Sequence, residues 1–169
     1  MILNDEEIRS LIVKKGLITG YIERDKQITP NGFDLTVEQI FMFVGKGEIG
    51  FSNEERKLPE TKELEWKNNS LELSKGCYKI RTNEILRMPL DLVAIAMPRS
   101  SLLRSGITIS TGVWDAGFEG KSEFLIQVQN DQGFKCGKNA RVVQLIFMTT
   151  KPEKAGYKGQ FNLKREKPF

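Results

Sequence analysis

Two guanidiniums and two hydroxyls stand within six residues of one another, Arg99, Ser100, Ser101 and Arg104, in the stretch MPRSSLLRSGITISTGVWDAGFEG (97–120). These groups suit a polyphosphate: Arg supplies planar charged donors, and the free N–H groups of a helix start draw an anion. Pro98 closes an apolar run, 90–97, and proline is best tolerated at the edge or end of a strand, so Arg99 and Ser100 should emerge where a strand stops. Ser100 or Ser101 is then placed to N-cap a short turn of Ser-Leu-Leu-Arg. Taken alone, Arg-Ser-Ser reads more readily as an ordinary capped helix with two solvated arginines.

Thirteen residues, 102–114, separate Ser101 from Asp115, and they alternate polar and apolar with Gly106 and Gly112 as punctuation, as a strand or hairpin rim would. Asp115 sits between Gly112-Val113-Trp114 and Ala116-Gly117-Phe118-Glu119-Gly120, a turn-rich setting that presents a carboxylate rather than burying it. A carboxylate one water away from a phosphorus can orient and deprotonate that water as a general base. Locally, Asp-Ala-Gly is also just a turn; beside the Arg-Ser-Ser cradle the hydrolytic reading gains ground.

The elements that must carry these groups are mostly short strands. Asn4 can cap a first helix with Glu7 three residues on, Ile8, Leu11 and Ile12 form its apolar stripe, and Gly16 ends it. Phe33, Leu35 and Val37 alternate before the apolar run 40–44, which predicts a buried strand with Asp34 on the face away from its neighbours. The charge-rich, aperiodic segment 52–69 reads as a long surface connection. Leu71, Leu73, Tyr78 and Ile80 flank Ser74-Lys75-Gly76 as a candidate hairpin, and further strands are expected over 90–97, 124–129 and 141–148, with Gly133 and Gly137 marking turns. Many short strands with one good helix indicate an all-β barrel or jelly roll. Gln144 interrupts the run Val142, Val143, Leu145, Ile146 and needs a hydrogen-bond partner there. The basic segment 154–169 has no strand or helix pattern and is expected to be a mobile tail.

At 169 residues the chain, 1–169, is one domain by length, and 39% hydrophobic with 28% charged residues suits a soluble globular protein. No run is long enough to span a bilayer and the first residues lack a signal-peptide pattern, so a cytoplasmic protein without membrane attachment is expected. The net charge of +4 is interspersed, which is poor support for nucleic-acid binding. Cys77 and Cys136 are far apart and suit reduced structural roles. The chain has no His. That excludes His-assisted nucleophiles and the zinc-dependent nucleobase deaminases, leaving hydrolysis to carboxylates, a divalent cation, or both.

MPRSSLLRSG resembles the second motif of the dUTPase and dCTP deaminase superfamily, GVWDAGFEG its third, PNGFDL (30–35) its first and ARVVQLIF (140–147) its fourth, in that order. The whole is most similar to the archaeal dUTPase branch, where FSNEERKLP (51–59) and a closing YKG (157–159) are also familiar. The resemblance implies a distorted jelly-roll or β-clip barrel of the dUTPase type with a short N-terminal helix. It implies hydrolysis of dUTP to dUMP and pyrophosphate, which keeps uracil out of DNA and supplies dUMP. Asp115 would activate the water, with Arg99, Ser100, Ser101 and Gln144 on the phosphates. Asp34 would lie near a Mg²⁺ ion held by the triphosphate rather than by a protein cage. Gly112 and Val113 would meet the nucleoside, and Phe118 would pack under the deoxyribose. Homotrimers with sites shared between subunits are also implied. The glycine-rich fifth motif is absent, and Tyr157-Lys158-Gly159-Gln160-Phe161 is expected to replace it as a lid, with Tyr157 or Phe161 on the base and Lys158 on the γ-phosphate.

Two other functions stay open. A dCTP deaminase of the same fold needs a glutamate on the strand after Asp115; aligning that strand on Asn130 puts Gln127 at its position, with Glu123 the available alternative acid and base. A non-catalytic nucleotide-binding regulator would need a lost carboxylate, whereas Asp115 is present.

Overall fold

A computed structural model describes residues 1–162. Helix α1 (Asp5–Lys15) starts as its capping box dictates: the Asn4 side chain accepts from the Glu7 N–H and Glu7 accepts from the Asn4 N–H, both at 2.9 Å. It ends at Gly16, which takes the left-handed conformation (φ 62°) that favours glycine. Ile8 and Ile12 bury its inner face, worth roughly 1.5–3 kcal/mol each against exposure.

The chain continues through β1 (Ile18–Thr19), α2 (Arg24–Gln27), β2 (Ile28–Thr29), β3 (Gly32–Val44), β4 (Glu60–Glu63), β5 (Ser70–Leu73), β6 (Gly76–Arg87) and β7 (Leu92–Pro98). After these come α3 (Ser100–Arg104), β8 (Ile107–Ser110), β9 (Glu119–Val128), β10 (Phe134–Gly137) and β11 (Arg141–Thr149). The fold is the expected all-β one with a short N-terminal helix, a nearly closed antiparallel barrel. Its main sheet runs β7-β11-β3-β6-β9-β8, with β1 on β6 and β2 and β4 on β3; β10 and β5 form a separate pair. The core is packed by Phe33, Leu35, Ile40, Ile80, Ile126, Leu145 and Phe147, all fully buried.

Three expectations are corrected. The segment 52–69 is not one connection: it holds a 3-10 turn, Asn53–Glu55, and β4, which pairs with β3 from Phe41↔Glu63 to Val44↔Glu60. Its side chains Glu60, Thr61, Lys62 and Glu63 are polar and exposed or half-buried, so backbone pairing and one side-chain bond, Gln39 Nε2 to Glu63 Oε1, hold this strand and no apolar alternation announces it. The turn at Ser74-Lys75-Gly76 does not close a hairpin, because β5 pairs with β10 and β6 with β3 and β9. Alternation marks a strand without naming its partner. The Gly133 to Gly137 region contains β10 itself.

Candidate active site

Four of the expected phosphate-side residues gather where β7, β11 and β3 lie side by side. Arg99 follows the end of β7, and its N–H donates to Val142 O at 3.1 Å. It is itself the N-cap of α3 and no side chain caps that helix, so Ser100 and Ser101 are helical residues, both exposed, rather than the expected caps. Gln144 on β11 is paired in register with Asp34 on one side and Met97 on the other. Its Nε2 donates to Thr29 Oγ1 at 2.9 Å, which gives the interrupting amide its partner.

Asp34 is not an outward-facing strand residue. Every residue from Gly32 to Val37 is buried, since both faces of β3 are covered there, and the Asp34 side chain is 2% exposed. Its Oδ2 takes an ion pair from Arg99 Nε at 3.0 Å and another from Arg141 Nη1 at 3.4 Å. Burial pushes the Asp34 carboxyl above its ordinary range, against the pull of Arg99 and then Arg141.

Arg141 is the residue that sequence reasoning passed over. It stands three before Gln144, which on a regular strand is the opposite face, but a bulge between Arg141 and Val143 shifts the register and re-aims it at Asp34. Its place at the head of the fourth motif was the available signal.

The other expected residues flank a separate cavity of about 650 Å³. Gly112, Val113, Trp114, Phe118, Tyr157 and Phe161 line it on one side. Phe118 and Tyr157 meet edge to face, ring centres 5.7 Å apart, and the Tyr157 N–H donates to Ala116 O at 2.8 Å. The start of the expected tail therefore lies against the third motif, with the Arg56 guanidinium 5.6 Å from the ring centre of Phe161. Lys158 is exposed. Residues 163–169 of that tail lie outside the described residues.

Asp115 is exposed beside this cavity, in the turn closed by the Phe118 N–H on Asp115 O at 3.1 Å; its carboxylate makes no hydrogen bond or ion pair among the described residues. Trp114, its neighbour, bridges to Ala94 in mid-β7, and its Nε1 donates to Ser122 Oγ at 2.9 Å. Arg99 is five residues beyond Ala94, roughly 16 Å at the strand rise. The phosphate-side cluster and Asp115 thus stand apart within one chain.

On its sheet side the cavity is lined by Glu38, Arg81, Lys121, Ser122 and Glu123. Lys121 and Glu123 share the outward face of β9, where burial alternates residue by residue. Glu123 pairs with Lys79 at 3.0 Å. Gln127 is not at the cavity: it accepts from Thr108 Oγ1 at 3.2 Å and lies 3.6 Å from Cys77 Sγ. Among the described residues no three His, Cys, Asp or Glu side chains converge as a metal cage, and no helix is long and apolar enough to cross a membrane.

Residues 2–150 match the dCTP deaminase-like family. A probable deoxyuridine 5'-triphosphate nucleotidohydrolase of Archaeoglobus fulgidus is 44% identical over 160 residues, 95% of each chain. The deoxyuridine 5'-triphosphate nucleotidohydrolase of Methanocaldococcus jannaschii is 39% identical over 80% of this chain and 86% of its own. Among solved structures, the 2'-deoxycytidine 5'-triphosphate deaminase of Agrobacterium tumefaciens superposes with a TM-score of 0.67 at 21% identity, over 86% of this chain and 47% of that one. The ordered motifs, the barrel and these matches agree, and the chain belongs to the dUTPase and dCTP deaminase superfamily.

Proposed function

We propose that the protein is a dUTP diphosphatase, hydrolysing dUTP to dUMP and pyrophosphate in the cytoplasm. The observation that carries this is Asp115, an exposed carboxylate with no partner among the described residues, in the turn between Trp114 and Phe118, which both line a cavity of nucleoside size. The names of the archaeal relatives support the substrate.

In this reading Asp115 accepts a proton from a water whose oxygen attacks the α-phosphorus; the bond to the bridging oxygen breaks and pyrophosphate leaves. Arg99, with Arg141, Ser100, Ser101 and Gln144, binds and orients the phosphates, and Lys158 covers the γ-phosphate. Gly112, Val113, Phe118 and Tyr157 enclose the nucleoside. Mg²⁺ fits as a passenger of the triphosphate, since Asp34, the acid beside Arg99, is engaged by two guanidiniums and no cage is built among the described residues; when bound it would neutralise phosphate charge.

The separation of Asp115 from Arg99 supports a homotrimer, in which the phosphate cluster of one subunit completes the cavity of the next. So does the apolar outer face of β7 and β11. There Ile95 and Met97 are 38% and 55% exposed, beside half-buried Val93, Ile146 and Met148.

A second reading rests on Glu123, which lines the same cavity and could move protons in deaminating dCTP. Its pairing with Lys79 counts against it.

Incubation with Mg²⁺ and, separately, dUTP, dCTP, dTTP and UTP decides between them. Release of dUMP and pyrophosphate from dUTP alone, lost in Asp115→Asn, is the expected result. Ammonia from dCTP would favour Glu123, and binding without turnover would favour a regulator.

A further inference from the structure

The sheet-side wall of the cavity carries a relay of paired charges that hydrolysis of the phosphate does not use. Glu38 is turned out of the buried stretch 32–41 of β3 by a register shift between Val37 and Gln39. One of its oxygens accepts from Arg81 Nε at 2.6 Å and the other from Lys121 Nζ. Arg81 is fixed in turn over Phe41, with Cζ 5.1 Å from the ring centre. Burial works to raise the Glu38 pKa, but hydrogen bonds from Lys121 and Arg81 outweigh it and hold the carboxyl below its ordinary range. The wall itself carries two cations, Arg81 and Lys121, against the two carboxylates Glu38 and Glu123, and Lys79 pairs with Glu123 at 3.0 Å.

Position along β9 gives the Lys121 ammonium a role. Lys121 is two residues into the strand that leaves Phe118, roughly 7 Å from its start, and Glu123 is roughly 13 Å along. A pyrimidine nucleoside whose sugar packs on Phe118 brings the far edge of its base to Lys121 before it reaches Glu123.

We infer that Lys121 is a specificity-determining residue: its ammonium donates to the carbonyl oxygen at C4 of uracil, where cytosine carries an amino group that offers no such acceptor. An ammonium has three donors, and Glu38 takes one. Glu38 and Arg81 are positioning residues that aim it. This rests on the cavity being the nucleoside site, and it adds a side-chain reading of the base to whatever backbone groups supply.

The test is calorimetric titration of the intact protein with the nonhydrolysable α,β-imido analogues of dUTP and dCTP, in the presence of Mg²⁺. Lys121→Met should weaken the dUTP analogue about tenfold and leave the dCTP analogue within about twofold, and Lys121→Arg should keep most of the preference. Glu38→Gln, which frees the ammonium from its anchor, should fall between them. Equal weakening of both analogues in Lys121→Met, or none, overturns the inference while the nucleotide site stands. Failure of the wild type to bind either analogue overturns the reading of the cavity and this inference with it. Circular dichroism checks that each variant is folded; should Lys121→Met not be, a reduced preference in Glu38→Gln supports the relay and an unchanged one overturns it.

Discussion

Arg99 Nε stands 3.0 Å from Asp34 Oδ2, so the end of β7 is tied to the start of β3 across the intervening β11. One acid thereby sets the direction of the guanidinium assigned to the phosphates, with Arg141 as the second cation on the same oxygen. Arg99→Met should lower stability by about 1–3 kcal/mol at pH 7, because a buried carboxylate loses a counter-charge. The sign with pH follows from burial holding the Asp34 pKa up. Stability from such a group is full below its unfolded pKa and is lost as pH rises through the folded one. Urea denaturation should therefore find the penalty shrinking toward pH 4, and steady-state kinetics should find a raised KM for dUTP.

Asp115→Asn should lower kcat for dUTP by about 10²–10⁴-fold, the usual size of a lost general base. Its melting temperature should stay close to the wild type's, since the exposed carboxylate has no partner among the described residues. A large loss of stability with activity retained would refute the assignment.

Glu84 is a buried acid outside the proposed chemistry. It accepts from Gln27 Nε2 at 2.7 Å, the Thr36 N–H at 3.0 Å and Thr36 Oγ1 at 2.5 Å, yet burial still raises its pKa. By the same sign, its contribution is lost as pH rises above 4.5. Thermal melts from pH 4 to 7 should show the wild type losing ground relative to Glu84→Gln as pH increases.

Gly117 takes φ +81°, and a Cβ there would lie 2.5 Å from the Cα of Gly156. Gly117→Ala should cost about 1–2 kcal/mol in backbone strain and push the tail segment off the third motif. Loss of the Tyr157–Phe118 contact should then appear as a higher KM for dUTP with a smaller change in kcat. Unchanged binding would show that Tyr157 has no part in the site.

Strand alternation and capping chemistry made the barrel and α1 legible, because burial on one face writes a period into the sequence: β3, β7, β9 and β11 all follow apolar runs. The exposed β4 wrote none. Asp115, Arg99, Ser100 and Gln144 were legible as candidates because each stands in a motif with its own local chemistry. Arg141 and Glu38 were not, because each is re-aimed by a bulge, and a bulge is a relation between two strands that neither strand's residues announce.

By itself the sequence determined the fold class, the family and the kinds of groups available, since residue type and short-range spacing fix those. Tertiary structure alone decided that Asp34 is buried between two arginines. It also separated Asp115 from Arg99 by several strand residues within one chain and brought Glu38, Arg81 and Lys121 to one cavity wall. These relations join residues up to 107 positions apart through strand pairing and register, and no local pattern encodes which strands will meet.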